Sequence, residues 1–241
     1  MTRIHSVAGL LPPGIGLVRT PPSRAPHHTA STAAVVGGGP TPRPGEVTLA
    51  HHGVLLLDEL PEFPRPVLES LRQPLEDGTV AIARVGGRIV FPARFQLVGT
   101  MNLCPCGGRG DPASECTCSP QRIDRYRERL SRALLDRFDL ALTVPRPRGA
   151  ELAGPPGEGS MAVAARVEAA RNRLRPGPPP LSSGADELLT RAVERLPLSG
   201  RGRARVVTVA GTIAALASSG RVDPEHLAEA LSYRPPAELV E

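Results

Sequence analysis

The sequence contains no lysine and no tryptophan, and aromatic residues make up 2% of it. Its 29 lysine-plus-arginine positions are therefore all arginines. So few aromatic rings leave few platforms on which unpaired bases could stack, so any contact with single-stranded nucleic acid falls mainly on phosphates. No apolar run approaches the roughly 20 residues that a helix needs to cross a bilayer. The opening "MTRIHSVAGLLPPG" has only a short apolar patch that ends in prolines. We therefore expect a cytoplasmic protein with no membrane partner. The four cysteines are confined to one loop, which argues against the framework of a secreted protein, whose bridges tie distant segments together.

What is present suffices for a core. A chain of 241 residues, 40% of them apolar, suits one domain with an appendage or two small domains. Its 28 prolines and 25 glycines concentrate between Leu10 and Pro44 and between Pro145 and Pro180, which marks loops and a linker. The net charge of +5 and a pI near 9.6 are compatible with a polyanionic partner, but an excess this modest is equally that of a basic surface.

Residues 1–50 read as mostly irregular. "GVLLLDE" then reads as a strand buried on both faces, because it is apolar without alternation. From Arg65 to Glu76, Val67, Leu68, Leu71 and Leu75 share one helical face, and Gly78 supplies a stop. "TVAIARVGGRIVFPARF" predicts a hairpin about Gly86-Gly87, since a two-residue turn favours positive φ at both positions. "FQLVGTMN" is a second buried strand, ending at Asn102. After the cysteine loop come an arginine-rich helical run, "QRIDRYRERLSRALLDRF", and a strand, "DLALTV". Beyond the linker, helices are expected over Met161–Leu174, Ala185–Leu196, Arg203–Ser218 and Pro224–Tyr233, the last with Asp223 at its cap and Pro224 at its first position. No strand signal interrupts them, which predicts a small helical domain.

An apolar strand that ends in Asp58-Glu59 is how P-loop nucleotide hydrolases hold Mg²⁺, with the first acid near the ion and the second polarising water. Solvated acids at a strand end would look the same. Asn102, at the end of the second strand, could orient that water or touch a terminal phosphate, although a lone Asn there is commonly a turn residue. Arg137 in "LLDRFDL" could reach the phosphates of a neighbouring subunit; a surface salt bridge is the ordinary fate of such a residue. Both strands would deliver their polar ends to one sheet edge, where ligands of open α/β sheets bind.

Cys104, Cys106, Cys116 and Cys118 form two C-x-C pairs nine residues apart, and four thiolates in so short a loop could close tetrahedrally on a structural Zn²⁺. Unliganded thiols are the alternative. His27-His28 and His51-His52 are adjacent pairs, which usually point apart, so polar or structural contacts are expected of them. Arg84 and Arg88 flank the hairpin tip and could touch a phosphate backbone or simply be solvated.

The ordered pieces "TRIHSVAGLLP", "RAPHHT", "VGGG", "RPGEVTLAHHGVLLLDELPEF", "LRQPLEDG", "FPARFQLVGTMN", "CPCG" with "CTC", and "LLDRFDL" resemble the ComM-type, magnesium-chelatase-related family of AAA+ ATPases. "LSGRGRARVVTVAGTIAAL" and "HLAEALSYR" resemble its C-terminal helical part, so the similarity runs nearly end to end. Many motifs in order are far more specific than any one.

The resemblance implies an α/β fold: over residues 1–147 the C-terminal portion of an AAA+ P-loop-NTPase core, a parallel sheet with flanking helices and a β-hairpin insert. A Pro/Gly-rich linker (148–160) and a small all-α lid (161–241) would follow. It implies ATP and Mg²⁺ as cofactors, Asp58 and Glu59 as the Walker B acids, Asn102 at the sensor-1 position and Arg137 as an arginine finger acting on the adjacent protomer's ATP. Arg201 matches the sensor-2 arginine of the lid, with Arg203 or Arg205 as nearby substitutes. The implied partners are further copies of the chain in a ring, a hexamer by resemblance, and DNA, as for a branch-migration motor of natural transformation.

Two features depart from the family. Thr208 and Gly211 stand where arginines are common, which would weaken the lid's basic face. More gravely, a P-loop needs a glycine-rich turn and a lysine on the β- and γ-phosphates, and this sequence has no lysine. We therefore expect a fragment or mis-started product of a longer ATPase, inactive alone. A catalytically dead regulatory subunit is one rival reading. A metal-chelatase motor is another, against which stands the cysteine loop that the resemblance ties to the ComM branch.

Overall fold

The structure is a computed structural model that describes residues 1–14, 16–39, 41–84, 87–196 and 198–235. It divides into two compact units, Met1–Arg137 and Phe138–Glu241.

The start of the first unit carries more structure than its composition predicts. It holds α1 (Thr2–Val7), β1 (Ser23–Arg24), α2 (Thr32–Val36), β2 (Gly37–Gly38), β3 (Arg43–Pro44) and α3 (Glu46–Leu49). Helix α2 begins where the Ser31 hydroxyl accepts from the Ala34 N–H at 3.2 Å, a side-chain cap for an otherwise orphaned donor. Strands β2 and β3 pair antiparallel. The backbone doubles back so tightly here that a Cβ on Gly45 would lie 2.2 Å from the Gly37 nitrogen, which only glycine allows.

Strand β4 (Val54–Leu57) forms the centre of a three-stranded parallel sheet, between β1 and β7 (Gln96–Gly99). Leu55 and Leu57 are fully buried, but Val54 and Leu56 are only partly so. Strand β7 lies at the sheet edge and is mostly exposed, with Val98 at 40%. The continuous apolar runs thus do not correspond to burial on both faces among the described residues.

After β4, a 3₁₀ turn (Leu60–Glu62) leads into α4 (Arg65–Ser70) and α5 (Arg72–Asp77). The one helix expected here is two, joined at Leu71. Pro74 explains the break: it has no N–H to offer the Ser70 carbonyl, and its ring crowds that same group. The expected apolar face is still buried at Val67, Leu68 and Leu71, as is Phe63 before it.

Strands β5 (Thr79–Arg84) and β6 (Gly87–Pro92) form the expected hairpin. Arg84 pairs with Gly87, so Gly87 belongs to the strand, while Val85 and Gly86 lie outside the described residues. The arginine-rich run is likewise two helices, α6 (Pro120–Arg127) and α7 (Arg132–Leu135), because Ser131 caps the second by accepting from the Leu134 N–H at 3.2 Å.

In the second unit, "DLALTV" is not a strand. Leu140, Leu142 and Val144 are 48%, 67% and 86% exposed, and the segment joins no ladder among the described residues. Residues 138–141 are instead fastened to the end of the chain: the Ala141 N–H donates to the Tyr233 carbonyl at 2.7 Å, and Arg234 Nη1 to the Phe138 carbonyl at 2.8 Å.

Helices α8 (Gly149–Leu152), α9 (Ser160–Leu174), α10 (Ser183–Arg195), α11 (Gly200–Leu216) and α12 (Pro224–Ser232) follow. Helices α10, α11 and α12 share a core made of Ala185, Leu189, Val206, Ala210, Ala214, Val222, Leu227 and Ala230. Gly211 is on the buried side of α11, where a Cβ would touch Pro179 at 3.5 Å, so it takes no part in any basic face. Thr208 is exposed and its hydroxyl donates to the Ala204 carbonyl at 3.0 Å. No helix among the described residues is long and apolar enough to cross a membrane.

Leu227 has 0% exposure at the centre of this helical core. Leu227→Ala is expected to destabilise the second unit by about 2–5 kcal/mol in urea titrations; a loss below about 1 kcal/mol would contradict the packing described.

Candidate functional site

The register of the parallel sheet builds the site. Leu57 pairs with Gly99, so Asp58 and Thr100 leave β4 and β7 side by side at the carboxyl ends of the strands. The ladder continues one step further: the Thr100 N–H donates to the Leu57 carbonyl at 3.1 Å, and the Leu60 N–H to the Thr100 carbonyl at 2.8 Å. The Thr100 hydroxyl donates to Asp58 Oδ1 and accepts from the Glu59 N–H at 3.2 Å. One hydroxyl thereby fixes both acidic positions.

Glu59 has φ 53° and ψ 51°, the left-handed region that a side-chain-bearing residue seldom occupies. Such backbone is held only where surrounding contacts over-determine it, and it collects at functional sites. The Glu59 carboxylate is 56% exposed, and its Oε2 lies 3.4 Å from His28 Nδ1. His28 follows β1, the other neighbour of β4, and packs edge-on against Phe63 with ring centroids 6.4 Å apart. All three parallel strands thus contribute to one rim.

Asn102, two residues beyond Thr100, is exposed. Its backbone N–H donates to the Tyr126 hydroxyl oxygen of α6. Tyr126 is 6% exposed. Burial chiefly pushes its phenol pKa up, the Asn102 contact opposes this, and the negative groups Glu62, Cys104 and Glu59 add to the rise. Arg129 braces the turn that follows the acids, donating through Nη1 to the Pro61 carbonyl at 2.9 Å and to Glu62 Oε2 at 2.8 Å. His28 was expected to make polar contacts and does so with Glu59, whereas Thr100, Tyr126 and Arg129 carry no such signal in the sequence. Thr100 was the most accessible of them, since it sits inside the quoted "VGTMN".

Arg137 is held inward. Its guanidinium donates to the Arg72 carbonyl at 3.1 Å, to the Ala133 carbonyl and to Glu76 Oε2 at 2.5 Å, and its side chain is 5% exposed. It lines an open groove of about 550 Å³ with Glu69, Arg72, Glu76 and Val80, a groove to which Asp58, Glu59 and Asn102 do not contribute. In the second unit, Arg201 and Arg203 lie exposed on the first turn of α11, which Ser199 caps at 3.0 Å, and Arg205 pairs with Asp139.

The four cysteine sulfurs lie within 4.8 Å of one another. Sγ separations are 3.4 Å for Cys104 to Cys106, 3.6 Å for Cys104 to Cys116 and 3.8 Å for Cys106 to Cys116. With Zn–S bonds near 2.3 Å, the edge of a thiolate tetrahedron is about 3.8 Å, so the cluster has room for one metal ion. None of the four is in a disulfide.

Their acidities diverge as expected of crowded thiols. Backbone N–H groups at Gly108 and Thr117 pull Cys106 down to about 6. Cys116 rises to about 11: its contact with the Cys118 backbone lowers it, but burial and the neighbouring Cys104 and Cys106 outweigh that. Four thiolates cannot share so small a volume without a cation.

The remaining expectations concern loops. His27 and His28 stack with centroids 4.1 Å apart, and His27 Nδ1 lies 3.0 Å from the Thr29 hydroxyl. His51 is structural: its Nδ1 accepts from the Arg94 N–H at 3.0 Å, while the His52 N–H donates to the Arg94 carbonyl at 2.6 Å. Burial and the adjacent His52 lower the His51 pKa. Arg88 is exposed on β6.

Residues 1–152 match the family model described as magnesium chelatase, subunit ChlI, and residues 179–234 match the one for that subunit's C-terminal region. Competence protein ComM of Haemophilus influenzae is 44% identical over 237 residues, covering 91% of this chain and 46% of that protein. The uncharacterised protein YifB of Escherichia coli is 43% identical over 233 residues, covering 90% and 46%. An uncharacterised Mycobacterium tuberculosis protein is 44% identical over 258 residues, covering 97% and 50%. The chain thus spans about half the length of the curated relatives it matches. Two family models in order, together with relatives 43–44% identical over some nine-tenths of the chain, make it a member of the ComM-type, magnesium-chelatase-related family.

Proposed function

We propose that this chain supplies the acidic and sensor half of a Mg²⁺-dependent AAA+ ATPase whose hydrolysis remodels DNA. The observation that supports the reading is the pairing of β4 with β7, which brings Asp58 and Glu59 onto the Thr100 hydroxyl, with Asn102 two residues further along the chain. Carboxylate oxygen is the donor that Mg²⁺ prefers, and Asp58, oriented by Thr100, is the residue that would hold the ion. When bound, Mg²⁺ neutralises charge on the β- and γ-phosphate oxygens. Glu59, exposed and turned outward by its left-handed backbone, orients and polarises the attacking water. Asn102 holds that water or the terminal phosphate through its amide. Arg201 acts as the sensor-2 contact from the helical lid, in a ring of like subunits.

The phosphate-gripping lysine is not among these residues, and we take the P-loop to come from outside them. The name of the Haemophilus relative ties that protein to competence, from which we extend to a DNA substrate handled in natural transformation. The metal at the cysteine cluster is taken to be a structural Zn²⁺, since four thiolates leave no position open for chemistry.

A regulatory subunit that assembles without turning over is the second reading, and Arg137 favours it. A trans-acting guanidinium would first have to leave Glu76 and two carbonyls that hold it within its own unit.

The purified chain alone is expected to show negligible ATP hydrolysis; turnover by it would refute the assignment of the P-loop elsewhere. Mixed with a P-loop-bearing segment of a relative, it should gain Mg²⁺-dependent turnover that Glu59→Gln lowers by about 10²–10⁴-fold. Full activity of that variant would remove Glu59 from the chemistry, and inert mixtures would favour the regulatory reading. Thr100→Val should lower kcat in the same mixture by about tenfold or more while leaving the fold intact, because one lost hydroxyl frees the Asp58 carboxylate. DNA affinity, measured across a salt series, is expected to fall steeply as phosphate contacts release counterions; salt-independent binding would contradict it.

A further inference from the structure

The cysteine loop runs from the exit of β7 to the entry of α6, and its two C-x-C pairs sit at its two ends. Cys104 lies two residues after Asn102, and Cys118 two residues before Pro120, the first residue of α6. The segment between them has neither helix nor strand. Structureless loops of this length inside a compact unit need some other tie. Bringing all four sulfurs within 4.8 Å closes the loop on itself, end to end.

The buried end of the cluster adjoins the proposed nucleotide rim. Cys104 has 0% exposure, and its sulfur accepts from the Arg109 N–H at 3.3 Å, which curls the chain back over it. Tyr126, on the helix that the loop enters, accepts a hydrogen bond from the Asn102 backbone. Asn102 thus precedes a sulfur ligand by two residues and meets the Tyr126 phenol through its backbone, and both partners belong to structure that the loop ties together.

We propose that Cys104, Cys106, Cys116 and Cys118 close on one Zn²⁺ to clamp the exit of β7 against the entry of α6, and that this clamp, with Tyr126 as a positioning residue, sets the place of Asn102. The proposal rests on the zinc assignment above and extends it from a bound ion to the placing of the rim. The ion has no part in hydrolysis; it converts a long loop into a short strut. Its loss frees Asn102 without disturbing the helical unit.

The test uses the full chain and needs no nucleotide, so failure of the ATPase reading leaves it standing. Metal analysis of the reduced protein should give one zinc per chain, and Co²⁺ in its place should give the visible spectrum of a tetrahedral thiolate site. Stripping the zinc with a chelator should then raise amide hydrogen exchange over residues 102–106 and 120–126 by about tenfold or more, with residues 206–214 unchanged. Tyr126→Phe should retain the zinc and raise exchange next to Asn102 alone. Absence of stoichiometric zinc, or Co²⁺ bound without thiolate bands, overturns the metal site itself. Zinc that binds and leaves exchange at 102–106 untouched overturns the clamp but keeps the metal, and a silent Tyr126→Phe removes Tyr126 from it.

Discussion

The pairing of Leu57 with Gly99 is the constraint on which the rest of the first unit depends. A strand presents alternate residues to opposite faces, so displacing this register by one residue would carry Asp58 away from Thr100 and turn the buried Leu55 and Leu57 outward. Burial of those two leucines therefore fixes the position of the exposed carboxylate that follows them. Hydrophobic packing sets the frame, and the Thr100 hydroxyl completes it by joining the two acidic positions to the neighbouring strand.

Beyond the strands, the rim is held by contacts from every side: His28 past β1, Arg129 under the turn after the acids, Tyr126 against Asn102. These are polar contacts between segments far apart in the chain, and each orients a group that is itself exposed. The exposed left-handed Glu59 fits this pattern, because a strained residue persists only where its surroundings hold it. Arg137 is the counterexample. The resemblance gives it a neighbour to act on, and it is occupied within its own unit.

Much of this was legible in the sequence, for physical reasons. Helices α9 to α12 fall within a few residues of where they were expected, because no strand signal interrupts that stretch and caps such as Asp223 with Pro224 are local signals. The parallel strands and the Asp58, Glu59 and Asn102 candidates were visible as apolar runs ending in polar residues. Pro74 and Ser131 each divide a helix that apolar spacing alone had read as continuous. "DLALTV" has the alternation of a strand, but a ladder needs a partner, and alternation cannot reveal whether one is present. Tyr126 and Arg129 were missed since nothing local marks a residue whose importance lies in a contact dozens of positions away, and for His28 the sequence pointed to a polar contact but not to its partner, Glu59. The cysteine spacing pointed to a cluster, though only the sulfur separations brought the four ligands to one point.

The central claim is that Asp58, Glu59 and Asn102 form a single cation-holding rim. Paramagnetic broadening of backbone amide signals by Mn²⁺, a stand-in for Mg²⁺, tests this most directly in the chain joined by a P-loop-bearing segment and ATP. The account predicts that the amides of Asp58, Glu59, Thr100 and Asn102 broaden together, and that Asp58→Asn abolishes the effect. Broadening centred elsewhere, or surviving that substitution, would contradict it.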